Sequence, residues 1–200
     1  MPEPAPVPLF ERLLGASFEG LPAPIKRVHD GQARKVLSGR CRISRGTGVL
    51  ARLLARVASL PEAGDDLPVQ VLFQRDERSE IWSRDFAGRP MRSTLTERDG
   101  CLEETLGPVR FRFALSADDG AIVWNVVAVR VLGLPLPASW FKAVNVRQSV
   151  EAGRYTFDVR VELPWIGLLV HYRGWLDASS GQHEAVASLT PGPSPGGRGE

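Results

Sequence analysis

The chain has little cysteine, little histidine and no long apolar run, and each shortage excludes something. Two cysteines in 200 residues, Cys41 and Cys101, sit in unrelated segments. That spacing supports neither a disulfide framework nor a CxxC metal or redox site, so both are read as free core thiols. The most apolar stretch, Ala121 to Pro137, is broken by Asn125, Arg130, Gly133 and Pro135, short of the roughly 18 to 20 residues a membrane span needs. The start, MPEPAPVPLFERLLG, has no basic leader and four prolines among its first eight residues, which excludes a secretory signal and gives cytoplasmic as the expected location. Charge of one sign is missing too. Lys plus Arg number 25 against 23 Asp plus Glu, a net +2, spread along the chain rather than gathered in the stripe a nucleic-acid binder shows. The motif inventory is equally bare: no GxSxG elbow, no GxxxxGK[ST], no HExxH and no EF-hand loop. No cofactor or metal site is expected.

What is present is a 43% hydrophobic chain that can bury a core. Residues 1–7 are Pro-rich and read as a disordered start, 8–177 as one globular domain, and 178–200 as a disordered low-complexity tail. The segment SLTPGPSPGGRGE also resembles the translation of a bacterial intergenic repeat. Helical spacing is confined to the first third. Leu9, Phe10, Leu13 and Leu14 form one short stripe, and Ile25 and Val28 after Pro22 form a second that closes at Gly31. In a third helix, Thr47 to Ser59 capped by Thr47, the apolar face is Val49, Leu50, Leu53, Leu54 and Val57, with Arg52 and Arg56 pointing away.

From Leu67 the period switches to two. Tyr155, Phe157, Val159, Val161 and Leu163 alternate with Arg154, Thr156, Asp158, Arg160 and Glu162, and eight or nine further segments read the same way. Turn pairs such as Asp99-Gly100 and Ala152-Gly153 join them as antiparallel neighbours. About ten sequential strands exceed what an open twisted sheet usually holds. The expected fold is α+β, mainly antiparallel β: a curved meander or a barrel of about ten strands, with short N-terminal helices and one helix between the first two strands. Two known layouts share that arrangement, the fatty-acid-binding barrel and the helix-grip fold. The second needs a long C-terminal helix, for which nothing after Asp177 has the spacing. A barrel of this size is wide enough to leave an interior for a ligand.

Few residues carry chemistry. Trp82, Arg84 and Phe86 share one face of a strand. Either that face is outward, with Arg84 stacked over the rings, or it is inward, where the guanidinium must meet a carboxylate or a ligand anion. Glu104 and Asp158 are the possible partners, and Tyr172 and Arg173 complete the candidate ligand-contact set. His29 falls at the end of a helix, where an imidazolium is favoured by the dipole. It becomes a general base or ligand contact if the N-terminal helices cover a barrel mouth. His171 is expected to face solvent, and His183 lies in the tail. Gly174 permits close packing, Trp175 is expected to plug one barrel end, and Arg45-Gly46-Thr47-Gly48 reads as a tight turn more than a phosphate cradle. The Leu134–Phe141 segment is an apolar, proline-stiffened loop.

In combination, LPAPIKRVHDG, SGRCRISRGTGVLARLLA, LPEAGDD, EIWSRDF, GCLEETLGPVRFRF, VLGLPLP, GRYTFDVRV and GLLVHYRGWLD resemble the bacterial domain-of-unknown-function family DUF4166, over about residues 8–177. No catalytic activity is established for that family, so the resemblance gives a boundary but no mechanism. It implies an accessory role, because relatives of this type are sometimes fused to saccharopine-dehydrogenase-like reductase domains or to small membrane proteins. Three functions follow as expectations. The leading one is non-enzymatic binding of an apolar or lipid-like molecule in the barrel, with Arg84 on its acidic head. The second is an interaction module for a reductase partner, using the Leu134–Phe141 loop, and the third an enzyme in which His29 works with Glu104 or Asp158 in the same cavity.

Overall fold

The computed structural model describes residues 7–57, 60–76 and 78–179. The stretches read as disordered, 1–7 and 178–200, fall almost wholly outside the described residues, as do Ser59 and His183.

Three short helices come first: α1 (Leu9–Leu14), α2 (Ala16–Glu19) and α3 (Ala23–Val28). Strand β1 (Arg34–Arg45) leads into α4 (Val49–Val57), after which the chain is almost all strand: β2 (Gly64–Arg75), β3 (Ser79–Phe86), β4 (Arg89–Arg98), β5 (Cys101–Leu106), β6 (Val109–Asp118), β7 (Ala121–Val131), β8 (Leu134–Leu136), β9 (Asn145–Glu151), β10 (Arg154–Leu163) and β11 (Gly167–Leu176). A 3-10 turn, Ala138–Phe141, lies between β8 and β9. The sheet order is β6-β5-β4-β3-β2-β1-β11-β10-β9-β7, and β6 pairs with β7 to close the ring. Ten antiparallel strands therefore form a closed barrel, while β8 adds a short flap to β7 at Val129–Val131.

The meander follows from its turns. Asp99-Gly100, Asp119-Gly120 and Ala152-Gly153 all have two consecutive residues at positive φ, the conformation whose twist matches that of the flanking strands. The circle is sealed where β1 meets β11. There a Cβ on Gly174 would lie 2.2 Å from the Arg40 carbonyl oxygen, so only glycine lets the two backbones approach as they do.

The two ends of the barrel differ. The β2–β3, β4–β5, β6–β7 and β9–β10 turns lie at one end, covered by α1–α3, whose Phe10, Ile25 and Val28 are buried in the core. Phe10 lies 5.7 Å from Trp82 and 5.8 Å from Trp124, ring centre to ring centre. At the other end are α4, the 3-10 turn and the remaining hairpins.

Helix α4 corrects the sequence reading. Its contact with the barrel is made by Ala51 and Ala55, both buried, while Val49, Leu50 and Leu53 are exposed together with Arg52 and Arg56. Small residues bring the helix close to β11, while Val49, Leu50 and Leu53 of the apolar stripe face outward and Leu54 is half-buried at the mouth of the barrel. The helix starts at Val49 after Gly48, whose carbonyl accepts from Arg52 N, so the cap is not Thr47. Gly46 packs against β11, where a Cβ would meet the Leu168 carbonyl; this favours the tight-turn reading of Arg45–Gly48.

Candidate functional site: the barrel interior

Strand alternation sets what faces inward. On β10, Tyr155, Phe157, Val159, Val161 and Leu163 line the interior, and on β3 so do Trp82, Arg84 and Phe86. Of the two faces considered for the Trp82–Phe86 segment, the inward one is adopted. Arg84 and Glu104 are only 10% and 14% exposed at the side chain, with Arg84 Nη2 3.2 Å from Glu104 Oε1. Arg84 Nη1 also donates to Ser93 Oγ at 2.8 Å, and the guanidinium carbon lies 4.9 Å from the Trp82 ring centre. A guanidinium in an apolar barrel is thus met by a carboxylate, a hydroxyl and an aromatic face, which is what its desolvation requires.

Around this pair the barrel is not full. A small void of about 70 Å³ reaches from Arg84 toward Trp124, Gln148 and Tyr155 under the N-terminal helices. A larger one of about 520 Å³ runs from Glu104 and Tyr172 to the opposite end. The walls of the larger void are overwhelmingly apolar: Leu106, Phe111, Phe113, Val131, Leu136, Phe141, Val144, Val161, Leu163 and Val170 among others, with Leu54, Leu60, Leu132, Leu134, Trp140 and Ile166 at its mouth. Glu104, Val146, Val159 and Tyr172 border both voids. The polar cluster therefore stands at the floor of a long apolar space.

Two phenols belong to the cluster. Burial pushes Tyr172 up to about 12 and raises Tyr155 further, with the Arg84 charge opposing in both cases. Both stay protonated at neutral pH, and neither hydroxyl is hydrogen-bonded to another described residue. Tyr172 packs edge-on to Phe86, with ring centres 5.5 Å apart.

His29 departs from the first of its two expectations. It is the residue after α3 and is buried at the helix-covered end, stacked on Phe10 with ring centres 3.8 Å apart. Its Nε2 lies 2.8 Å from Gln148 Oε1, and its buried Nδ1 has no partner among the described residues. Desolvation drops its pKa from 6.5 to about 3, so it is a neutral imidazole rather than a helix-capping cation. Below it Lys35 is tied to the Arg27 carbonyl and to Asp30. Trp82 Nε1 donates to Glu80 Oε2 at 3.1 Å, and Glu80, raised by burial, is a further buried carboxyl at this end.

Other expected site residues are not brought together. Asp158 and Arg173 lie on the outer face of β10 and β11, since their neighbours in sequence point inward; both border an external groove. Asp158 Oδ1 lies 2.9 Å from His171 Nε2, which keeps His171 outside as expected. Among the described residues no hydrogen bond or ion pair joins His29 to Glu104 or Asp158. Trp175 is also outside, with the Arg154 guanidinium 4.5 Å from its ring centre, and plugs nothing. Ser93, Gln148, Tyr155 and Glu80 were missed; each is a polar residue at an inward position of its strand, which was the available signal. No group of three or more His, Cys, Asp or Glu side chains among the described residues is placed to hold a metal, and none of the described helices is long and apolar enough to cross a membrane.

The model of the domain of unknown function DUF4166 matches residues 21–176, and the chain belongs to that family. The match takes in α3, α4 and the whole barrel but not α1 or α2, so it is shorter than the resemblance over residues 8–177. A search of curated proteins gives no match.

Proposed function

We propose that this barrel binds an apolar, lipid-like small molecule without chemically transforming it. The observation that carries the reading is the 520 Å³ apolar void with Glu104 and Tyr172 at its floor. Ligand sites are typically concave, mostly apolar and furnished with a few convergent polar groups. The volume falls within the roughly 300 to 1,000 Å³ of small-molecule pockets, suited to a single chain or fused-ring compound.

In this reading Glu104 and the Tyr172 hydroxyl meet the head at the floor of the void, and Arg84 stands behind them, paired with Glu104. The Arg84 charge is already matched by Glu104 at 3.2 Å. A ligand carboxylate would have to enter beside the Glu104 carboxylate, and two like charges at one cation oppose each other. The head is therefore a neutral hydrogen-bonding group such as a hydroxyl, carbonyl or amide, rather than the acidic head expected from the sequence. The closed, helix-covered end and the apolar mouth fit a molecule that enters tail-last from the open end.

Native mass spectrometry of the purified protein, followed by denaturation and extraction, tests the first part. A co-purifying lipid-like compound is expected. Binding of a long-chain fatty alcohol and of the fatty acid of equal length, measured by calorimetry on delipidated protein, tests the second. The alcohol should bind at least about tenfold more tightly, and Val161→Trp, which fills the void, should remove binding without unfolding the barrel. Failure of both compounds to bind delipidated protein, with nothing co-purifying, would overturn the reading.

A further inference from the structure

We infer that the open end of the barrel is a docking surface for an anionic lipid bilayer. The inference goes beyond ligand binding, since it rests on the outer surface alone. The sequence difference between the two barrel ends points to it. At the helix-covered end the left-handed turn positions are held by Asp99, Asp119 and Ala152, small or polar residues that tolerate positive φ or suit water. At the open end Asp66 and Ala87 take the same conformation, but it is also imposed on Leu132 (φ 51°) and Trp165 (φ 61°). These are bulky side chains in a backbone region they rarely adopt, and they are 79% and 89% exposed.

The surrounding surface repeats the pattern. Leu134 and Trp140 are exposed beside them, and the Trp140 and Trp165 rings meet edge-on with centres 6.0 Å apart. Helix α4 adds Val49, Leu50 and Leu53 on its outer face, an amphipathic helix seated on the barrel by its alanines with its larger apolar face outward. Arg45, Arg52 and Arg56 flank this face beside the Arg89–Glu62 ion pair and themselves form no ion pair with another described residue.

Tryptophan and leucine at the level of lipid headgroups, an apolar helix face and unpaired arginines beside it are what an interfacial protein presents to an anionic membrane. A second copy would set Arg52 and Arg56 against their own counterparts under any two-fold arrangement centred on α4, which disfavours a self-association surface. Leu132, Leu134 and Trp140 of this surface also line the mouth of the 520 Å³ void, so docking there would open the void toward lipid.

Co-sedimentation with vesicles of equal parts phosphatidylglycerol and phosphatidylcholine, against pure phosphatidylcholine, is the test. Binding is expected to the anionic vesicles, weakening as salt is added. Leu50→Ser/Leu53→Ser and Trp165→Ser should each lower partitioning at least about tenfold, and Arg52→Glu/Arg56→Glu should do the same, with circular dichroism unchanged. Val161→Trp should leave vesicle binding intact, so loss of the ligand reading and loss of this one are separable. No binding to anionic vesicles at low salt would overturn the inference. So would binding indifferent to all three variants, or a dimer in light scattering that the same substitutions dissolve.

Discussion

Arg84→Ala is the substitution whose consequence follows most directly from the geometry. It removes the only cation hydrogen-bonded to Glu104 among the described residues and leaves a carboxylate 14% exposed inside the barrel. It also strips Ser93 Oγ of its 2.8 Å donor and the Trp82 face of its cation. Breaking a buried ion pair by truncating one member costs about 3–5 kcal/mol, because the surviving charge stays desolvated. For a domain of this size that is a fall in melting temperature of roughly 6 to 20 °C. Replacing both members with apolar residues, Arg84→Met/Glu104→Leu, abolishes the uncompensated charge and should cost far less than the single change. Urea denaturation followed by circular dichroism on wild type, Arg84→Met, Glu104→Leu and the double variant closes the cycle, with Arg84→Ala measured beside them. If Arg84→Ala lost less than about 1 kcal/mol, or the double variant lost as much as the sum of the singles, the pair would not be a coupled interior unit and its role as cavity floor would fall.

The buried His29 gives a pH signature. Its folded pKa of about 3 lies below the ordinary 6.5, so from pH 6.5 downward the unfolded chain takes a proton that the folded chain refuses, and stability falls as pH drops across that window. Wild type should lose about 1.4 kcal/mol per pH unit more than His29→Gln between pH 6 and 4, and parallel profiles in urea titrations would refute the burial argument. Gly174→Ala drives a Cβ to 2.2 Å from the Arg40 carbonyl and should cost at least about 1–3 kcal/mol; a neutral result in the same assay would mean the β1–β11 seam is looser than described. On α4 the expected order inverts ordinary hydrophobic logic. Ala55→Leu, at the barrel contact, should destabilise by about 1–3 kcal/mol, while Leu53→Ser should stay within about 0.5 kcal/mol, and the reverse order in thermal melts would return the leucine stripe to the core.

The barrel itself was legible because strand alternation and turn chemistry are local. Tyr155 to Leu163 alternates without a break, and Asp99-Gly100 names its turn with two residues. Closure was legible only by counting, since the β7–β9 and β1–β11 pairings join segments whose sequences carry no mark of one another. The three-residue strand β8 was missed for a related reason: Leu134-Pro135-Leu136 is too short to show a period and contains a proline, tolerated because the strand is only a flap on β7.

The site divides along the same line. That Arg84 shares a face with Trp82 and Phe86 is a property of one strand, and it was readable. Which way that face pointed was not, because period two says that two faces exist without saying which is wet. Glu104 on β5 settles it: an inward guanidinium needs an inward carboxylate, and of the two proposed, only Glu104 has the parity to supply one. Asp158 alternates with Phe157 and Val159, both lining the cavity, and so had to be outside. Parity could have made that choice from the sequence, given one inward residue as reference on each strand. Helix α4 shows where such reasoning ends. Its apolar stripe was read correctly as a stripe, yet an amphipathic helix specifies only that its two faces differ. The pair of small residues, Ala51 and Ala55, four apart and flanked by larger side chains, is the feature that lets a backbone approach β11 closely. In a barrel whose mouth is apolar, that leaves the leucines facing whatever the mouth faces.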